Sequence, residues 1–161
     1  MKIETLYHGS TSIGRHPQAG KWRKGLDFGP GFYLTPMRGQ ARQWAIRVKT
    51  IRATMNSVVN KYKLVRLDRH RIRRFDAYDE DWLGFLVQSR MGQKPWAGYD
   101  IVEGDVADDR VIDSIEAYVN GYSTLELTLS KLSFHKPNWQ VCILNRDVID
   151  DCLTYVGHMK V

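Results

Sequence analysis

Apolar residues recur at two different spacings along this chain, and segments of the two kinds alternate. Residues 57–65 alternate apolar and polar side chains, which is typical of a half-buried strand. Residues 41–48 and 110–119 repeat apolar side chains every three or four positions, which indicates helices with one buried face. Because strand-type segments occur near both ends of the chain, with helical segments between them, the pattern predicts an α+β fold.

The same reasoning predicts five strands and five helices. The strands are expected at residues 3–8, 32–34, 57–65, 99–103 and 138–144. One helix is expected to begin after Thr35, which would be its N-cap, with Pro36 in its first turn. The other helices are expected at residues 79–91, 110–119, 124–132 and 146–156. Residues 9–31 are expected to form a long irregular connection. We find no repeat or linker, so residues 1–161 are expected to form one domain.

The composition argues against several classes of protein. With 161 residues, of which 43% are hydrophobic, the chain can bury a core without disulfide or metal support. No segment approaches the roughly 20 apolar residues of a membrane span, and the first ten residues lack a signal-peptide core. We therefore expect a cytoplasmic protein with no membrane partner. Cys142 and Cys152 are expected to be buried thiols, and the spacing of the histidines and cysteines predicts no metal site.

Basic and acidic residues are divided unequally along the chain. Residues 1–74 contain 17 Lys and Arg against 3 acids, a balance of +14, whereas residues 75–161 contain 7 against 15, a balance of −8. The basic part suits an anionic ligand such as a pyrophosphate or a nucleic acid. The acidic part argues against a surface made wholly for nucleic acid. Two alternatives are that the halves attract each other or that a partner covers one of them.

The densest basic run is residues 66–74, RLDRHRIRR. Its arginines could hold phosphates through charge-assisted contacts. They could instead form a solvated edge or turn beside the acidic sequence DAYDED that follows. We favour the second interpretation, and the absence of aromatic residues among the arginines weakens the case for a surface that stacks single-stranded bases.

Three motifs near the N-terminus carry the functional argument. YHGS (7–10) ends the first expected strand, GFYLT (31–35) contains the second, and Trp44 follows Tyr33 by eleven positions on the next helix. In these residues the sequence resembles the ADP-ribosyltransferase superfamily, most closely the branch whose signature is His, Tyr and Glu. More narrowly, YHGS, KGLDFGPGFYLT, NKYKL, YDIVEGDVADD and NWQVCIL resemble a bacterial domain family known as DUF3990.

The resemblance implies a fold and a ligand. The fold would consist of split mixed or antiparallel β-sheets with flanking helices, and NAD would bind as a substrate in the cleft between the sheets. His8 would hydrogen-bond the adenosine ribose and the Gly9 backbone would bind the nicotinamide carboxamide, while Tyr33 and Trp44 would stack on the nicotinamide ring. The NAD-binding set implied by the motifs is His8, Gly9, Ser10, Gly31, Phe32, Tyr33 and Trp44.

Each of the central side chains also has an ordinary structural interpretation. His8 could be a satisfied histidine beside a turn, Tyr33 a strand aromatic, and Trp44 a core residue on the helix face of Ala41 and Ala45. The joint occurrence of the two motifs and the eleven-residue spacing favours the nucleotide cleft over these separate interpretations.

The signature glutamate of the resembled branch is replaced in this sequence. The strand around Gln140 matches the one that would carry the acid, but Gln140 supplies no negative charge to stabilise the cationic ribose. The expected catalytic residues are therefore Gln140, Tyr33 and a substitute acid, which we assign to Glu103, with Asp105 and Asp27 as alternatives. The pyrophosphate of NAD would be bound by three cations in the loop before Tyr33, which are Lys21, Arg23 and Lys24.

These residues predict a mono-ADP-ribosyltransferase. The protein would bind NAD, release nicotinamide and join ADP-ribose to a macromolecular acceptor, protein or nucleic acid, as bacterial toxins and effectors do, with an antitoxin-like partner as a further expectation. Gln140 argues against elongation into poly-ADP-ribose. One alternative is a catalytically silent module that binds NAD, ADP-ribose or nucleic acid. Another is an NAD glycohydrolase that uses water as the acceptor.

Overall fold

The computed structural model of the protein describes residues 1–18, 27–107, 109–133 and 138–161. Within these ranges the fold is α+β, with seven strands in two sheets and five helices around them. The strands are β1 (Lys2–Ser10), β2 (Phe32–Leu34), β3 (Val58–Arg66), β4 (Ile72–Arg74), β5 (Ile101–Gly104), β6 (Gln140–Ile143) and β7 (Leu153–Lys160). The helices are α1 (Arg38–Arg52), α2 (Glu80–Arg90), α3 (Asp109–Val119), α4 (Leu125–Leu132) and α5 (Arg146–Cys152). In the described part of the chain, no helix has the length and apolar character that a membrane crossing requires.

The three-stranded sheet has the order β1-β3-β7, and its neighbouring strands are antiparallel. In β3 the side chains of Asn60 and Tyr62 are buried, whereas Lys61 and Lys63 are exposed. This alternation gives the sheet an inner face, which packs against the other sheet, and an outer face. Leu6 pairs with Tyr62 and lies on the inner face as well.

The four-stranded sheet has the order β2-β6-β5-β4, in which only the β4–β5 pair is parallel. One of its faces packs on the inner face of the three-stranded sheet, and the apolar cluster between them includes Leu6, Leu34, Tyr62, Ile101 and Ile143. Its opposite face carries Val102 and Cys142 and packs against α2, α3 and α4. This sheet is therefore covered on both sides, which explains why β5 and β6 are almost wholly buried.

Helix α1 covers part of the outer face through small residues. Ala41, Ala45 and Val59 form a separate buried cluster, against which Tyr7 packs. A Cβ atom on Gly9 would lie 2.8 Å from the backbone nitrogen of Ala45 and closer still to the carbonyl oxygen of Ala41. The helix backbone therefore rests directly on β1, at a separation that a larger residue would not allow.

Most of the predicted elements are confirmed. The strands predicted at residues 3–8, 32–34, 57–65, 99–103 and 138–144 correspond to β1, β2, β3, β5 and β6, and the helices predicted at residues 79–91, 110–119 and 124–132 correspond to α2, α3 and α4. Asp79 and Thr124 cap α2 and α4 by accepting hydrogen bonds from the backbone N–H groups of Trp82 and Leu127. Both cysteines are free and buried, as expected.

The prediction that Thr35 caps the first helix is wrong. Met37 is the N-cap residue, and α1 begins at Arg38. Thr35 forms an isolated antiparallel bridge with Tyr7, and its hydroxyl accepts a hydrogen bond from the Met37 backbone N–H at 3.0 Å. Because sheet pairing holds Thr35 in an extended conformation, the helix starts later than its sequence pattern suggests.

The helix predicted at residues 146–156 is wrong in its second half. Helix α5 ends at Cys152, and the chain continues directly into β7. Tyr155 pairs with Tyr62 across the β3–β7 ladder, and their rings lie 5.9 Å apart. Long-range strand pairing therefore outweighs the helical spacing of the apolar residues in this segment.

Candidate functional site

The N-terminal motifs meet where β1, β2, β6 and α1 come together, and we call this place the junction. The backbone N–H of Tyr7 donates to the carbonyl oxygen of Thr35 at 2.8 Å, and Thr35 returns a hydrogen bond of 2.9 Å. One residue further along β1, the Nδ1 atom of His8 lies 2.7 Å from the carbonyl oxygen of Tyr33. The two motifs are thus held together by hydrogen bonds that join the two sheets.

The bond to Tyr33 fixes the protonation of one His8 nitrogen. A carbonyl oxygen only accepts hydrogen bonds, so Nδ1 of His8 carries the proton. In the neutral imidazole Nε2 then has the lone pair and acts as an acceptor. The ring also lies 4.5 Å from the ring of Phe32, which limits its rotation. His8 is therefore an oriented, half-buried histidine on the inner face.

Gly9 and Gly31 are needed for packing inside the protein. The space beside Gly9 is filled by the backbone of α1, as described above. A Cβ on Gly31 would lie 2.6 Å from the carbonyl oxygen of Ile143 and even closer to the sulfur of Cys142. The resemblance implies that Gly9 allows the close approach of a ligand, and the contacts give a second reason, the close approach of α1.

The segment after Ser10 is anchored by two residues that sequence analysis did not select. The Asn60 side chain accepts from the Gly14 backbone N–H at 3.1 Å and donates to the Ser12 carbonyl at 3.0 Å. The Tyr62 hydroxyl donates to the Gly14 carbonyl at 2.5 Å. Asn60 is fully buried at an inward position of β3. The signal that could have identified Asn60 is a polar side chain at one of the inward-facing positions of β3.

The hydroxyl of Tyr33 is held inside the protein. It donates to the Gly29 carbonyl at 2.6 Å and accepts from the Phe28 backbone N–H at 3.1 Å. Burial raises the pKa of this hydroxyl well above its usual value, and Cys142 and the negative charge of Asp27 add to the increase. Tyr33 is therefore neutral at physiological pH, and it fixes the turn that precedes β2.

Asp27 is the acid closest in the chain to the Tyr33 turn. Its Oδ1 accepts from a guanidinium nitrogen of Arg90 on α2 at 2.9 Å. Burial raises the pKa of Asp27, and the Arg90 charge opposes that increase. Of the three acids considered in the sequence, Asp27 is thus the one whose charge acts on Tyr33.

Helix α1 is tied to the start of β6 by a glutamine that sequence analysis missed. The Gln40 side chain donates to the Trp139 carbonyl at 3.0 Å and accepts from the Trp139 N–H at 3.1 Å. Trp44 lies one helical turn after Gln40, on the same flank of α1. Its side chain is 39% exposed and contacts the guanidinium of Arg47 at 6.0 Å from the ring centre. Trp44 is therefore not the core residue that its spacing also allowed.

Gln140 is the first residue of β6 and directly follows Trp139, whose backbone bonds Gln40. It is half-buried and pairs with Gly104 of β5. Cys142, two residues further on, pairs with Tyr33. Because alternate residues of a strand share a face, Gln140, Cys142 and Tyr33 lie on one face of the four-stranded sheet.

Glu103 lies on the opposite face of that sheet. It is 1% exposed, and its two carboxylate oxygens accept from Arg66 at 2.5 Å and Arg74 at 3.0 Å. Arg66 also bonds Glu4 of β1 at 2.7 Å. Although burial opposes its charge, the carboxylates of Glu103 and Glu4 raise the pKa of Arg66. Glu103 therefore links the two sheets by ion pairs, and it does not share a face with Tyr33 and Gln140.

The remaining predicted residues differ in position. Ser10 is half-buried at the end of β1, and its hydroxyl accepts from the Ser12 N–H at 3.3 Å. Asp105 is half-buried after β5, and burial raises its pKa. The loop cations Lys21, Arg23 and Lys24 lie outside the described residues. Among the residues that are described, no three His, Cys, Asp or Glu side chains converge as metal ligands.

The arginine-rich run 66–74 belongs to the framework. It contains β4, which sequence analysis did not predict and which forms the edge of the four-stranded sheet. Arg71 bonds Asp100 through both its backbone N–H, at 2.8 Å, and its guanidinium, at 3.2 Å. The interpretation of this run as an edge beside the following acids is confirmed for β4 and for the Arg74–Asp76 pair. Arg66 is not solvated, because it is 12% exposed and pairs with Glu4 and Glu103.

The class of protein is thus an α+β protein with two packed sheets and a polar junction built around a histidine and a tyrosine strand. The family model described as "Protein of unknown function (DUF3990)" matches residues 4–155. The chain therefore belongs to the DUF3990 family. A comparison with the curated proteins finds no match, and a comparison with the solved structures finds none either.

Proposed function

We propose that the protein is a mono-ADP-ribosyltransferase that binds NAD at the junction. The observation that supports the proposal is the hydrogen bond from His8 to the Tyr33 carbonyl, because it joins the YHGS motif to the GFYLT motif. The bonds between Gln40 and Trp139 link the helix that carries Trp44 to the strand that begins at Gln140. The resemblance to ADP-ribosyltransferases selects His8, Tyr33, Trp44 and Gln140.

The proposed role of His8 follows from its tautomer. With Nδ1 donating to a carbonyl, Nε2 of the neutral ring accepts from a hydroxyl such as that of a ribose. The ring needs no reorientation to do this, since Phe32 and the Tyr33 carbonyl already hold it. An oriented acceptor costs less entropy on binding than a mobile one.

The proposed role of Trp44 is to stack on the nicotinamide ring. Its exposed indole offers a flat apolar surface, and a neighbouring arginine covers part of it. Tyr33 contributes the rigid turn at residues 27–31, since its hydroxyl is engaged by Phe28 and Gly29. The site is therefore preorganised on the Tyr33 side.

The proposed reaction breaks the bond between the nicotinamide nitrogen and C1′ of the ribose. The electron pair leaves with neutral nicotinamide, and C1′ becomes cationic. An acceptor nucleophile then forms a bond to C1′ and loses its proton to solvent. Gln140 can orient a ribose hydroxyl but adds no charge to stabilise the cation. We therefore propose slow, single transfers to an acceptor of protein or nucleic acid.

The test is nicotinamide release from NAD by the purified protein, with Trp44→Ala as the main variant. Trp44 is exposed, so the fold should tolerate its loss, and we expect NAD affinity to fall by about tenfold or more. Ile51→Ala is the matched control, because Ile51 lies on the same flank of α1 and is 69% exposed. Equal release by both variants would contradict the site assignment.

A second variant tests the charge at β6. We expect Gln140→Glu to raise the rate of nicotinamide release by about tenfold or more, because a carboxylate would stabilise the cationic ribose. Gln88→Glu, an exposed position on α2, makes the same chemical change away from the junction. A rate increase in the Gln88 variant, or none in the Gln140 variant, would count against the proposed position of the reacting ribose.

A second candidate function is a module that binds NAD and does not turn it over. It is favoured by Gln140 and by Glu103, both of whose carboxylate oxygens are engaged by arginines. In that case NAD would raise the melting temperature of the wild-type protein without nicotinamide release, and only Gln140→Glu would be active. Transfer of labelled ADP-ribose to a macromolecule would separate a transferase from a glycohydrolase.

A further inference from the structure

Several cations without acidic partners lie on one side of the molecule. Helix α1 contains five Lys and Arg residues and no acid, and the sequences of β3 and β7 contain no acid either. Within the described residues, these side chains on α1 and β3 form no ion pair: Arg38, Arg42, Lys49, Lys61 and Lys63. We call these five residues the outer cations.

The outer cations share one surface. Lys61 and Lys63 alternate with the buried residues of β3 and therefore project from the outer face. Arg38, Arg42 and Lys49 are four and seven residues apart, a spacing that aligns them along one flank of α1. A guanidinium nitrogen of Arg38 lies 2.8 Å from the sulfur of Met159 in β7. This flank of the helix thus faces β7, next to the exposed lysines of β3.

A pocket lies between α1 and the outer face. Its volume is about 290 Å³, and it is lined by Tyr7, Val59, Lys61, Arg38 and residues 156–159. Arg38 and Lys61 thus approach one concave space from two different elements. Two like charges around an empty space repel each other, so an anion between them would be stabilised.

The pocket is separate from the junction. Tyr7 lines the pocket, whereas the next residue, His8, bonds Tyr33 on the inner face. Since successive residues of a strand point to opposite faces, the three-stranded sheet stands between the pocket and His8. Trp44 lies six residues after Arg38, on a different flank of α1. A ligand on the outer face therefore does not compete with a ligand at the junction.

We infer that the outer cations bind a nucleic-acid strand, with one backbone phosphate held in the pocket between Arg38 and Lys61. This site is additional to the proposed NAD site and does not depend on it. Helix α1 has 15 residues and is about 22 Å long, which is the length of about six phosphates of one strand at 3.4 Å each. Arg38, Arg42 and Lys49 are distributed along that length, and Lys61 and Lys63 lie beside its N-terminal half on β3.

The shape of the surface favours nucleic acid over a membrane. A bilayer presents its anionic headgroups on a plane, and the concave pocket between α1 and β7 withdraws Arg38 and Lys61 from such a plane. The phosphate backbone of a nucleic-acid strand can instead bend into the pocket and continue along α1 past Arg42 and Lys49. Most of the binding energy would then come from phosphate contacts, with little dependence on sequence.

The experiment measures binding of a fluorescent 12-nucleotide single strand to the full chain without NAD. We expect micromolar affinity at about 50 mM salt and a decline of roughly 10²-fold between 50 and 200 mM, because about five phosphate contacts on a single strand release that many counterions. Lys61→Glu and Arg38→Glu should each weaken binding at least tenfold. Arg146→Glu is the matched control, because it makes the same charge change on α5 at a side chain that is 73% exposed, and it should weaken binding less than twofold.

Three outcomes would overturn the inference. The first is no binding by the wild-type protein at 50 mM salt. The second is an equal loss in the Lys61, Arg38 and Arg146 variants, which would reflect net charge alone. The third is binding to vesicles of anionic phospholipid with no binding to the oligonucleotide. Thermal melting of each variant checks folding, and Trp44→Ala should bind the strand as the wild type does, which separates this site from the junction.

Discussion

Two groups of basic residues in this protein have opposite surroundings. Arg66, Arg71 and Arg74 come from the densest basic run of the sequence, and each is paired with acids after folding. The outer cations are spread more thinly along residues 38–63, and in the described part of the chain they have no acidic partner. The density of charge in a sequence therefore does not locate a binding surface. The acids that the fold brings nearby decide whether a cation is available.

Among the variants that test this contrast between paired and unpaired cations, Glu103→Ala is expected to lose the most stability. It would leave Arg66, which is 12% exposed, with only Glu4 as a partner, and removing one member of a buried ion pair costs about 3–5 kcal/mol. We expect the melting temperature to fall by about 10 °C. Asp76→Ala is the control, because it removes a 78% exposed partner of Arg74 and should cost less than about 1 kcal/mol. Similar losses of stability in both variants would mean that Glu103 does not hold the ion pairs with Arg66 and Arg74 together.

Asp100→Asn is expected to have a smaller effect that depends on pH. Burial alone would raise the pKa of Asp100, but the Arg71 backbone N–H, the Asn145 amide and the Arg71 guanidinium outweigh it and lower the pKa from 3.8 to about 2. A lowered folded-state pKa stabilises the fold above about pH 4, and that contribution is lost as the pH falls towards 2. We expect the variant to lose about 1–2 kcal/mol at pH 7. Denaturant unfolding at pH 7 and at pH 2.5 measures the difference in unfolding free energy between wild type and variant, and this difference should be smaller at pH 2.5. A difference that does not change with pH would be inconsistent with the ion pair.

Arg42→Glu and Lys63→Glu are expected to change stability least. Neither cation has an acidic partner among the described residues, so each variant should stay within about 0.5 kcal/mol of the wild type. Urea unfolding measures this directly. A loss above 1 kcal/mol would show that these residues stabilise the fold and would weaken their assignment to a binding surface.

Local patterns were sufficient to predict much of the fold. The alternation of β3, the apolar runs of β5 and β6 and the caps of α2 and α4 are properties of a few neighbouring residues. Strand β7 could not be predicted in this way, because Tyr155 becomes a strand residue by pairing with Tyr62, far earlier in the chain. Thr35 was misplaced for the same reason, since its bridge to Tyr7 overrides its capping preference.

The candidate site was predicted only in part. The motifs selected His8 and Tyr33, but no local pattern indicates that the imidazole bonds the tyrosine carbonyl across 25 positions. Gln40 was missed because a glutamine in the first turn of a helix is usually only solvated, whereas here it joins α1 to β6. Glu103 was assigned a catalytic role because Gln140 stands where the signature acid is expected. Its arginine partners come from other strands, so its own neighbourhood in the sequence does not indicate them, and the catalytic role stays a prediction.

The central claim is that NAD occupies the junction, and the ¹⁵N resonances of the His8 imidazole test it most directly. Without ligand, we expect Nδ1 to be protonated through its bond to the Tyr33 carbonyl. On addition of NAD, the Nε2 resonance should move saturably as it accepts from a ribose hydroxyl, and the midpoint should rise about tenfold in Trp44→Ala. A His8 spectrum that does not change at millimolar NAD would contradict the claim, whatever the protein binds elsewhere.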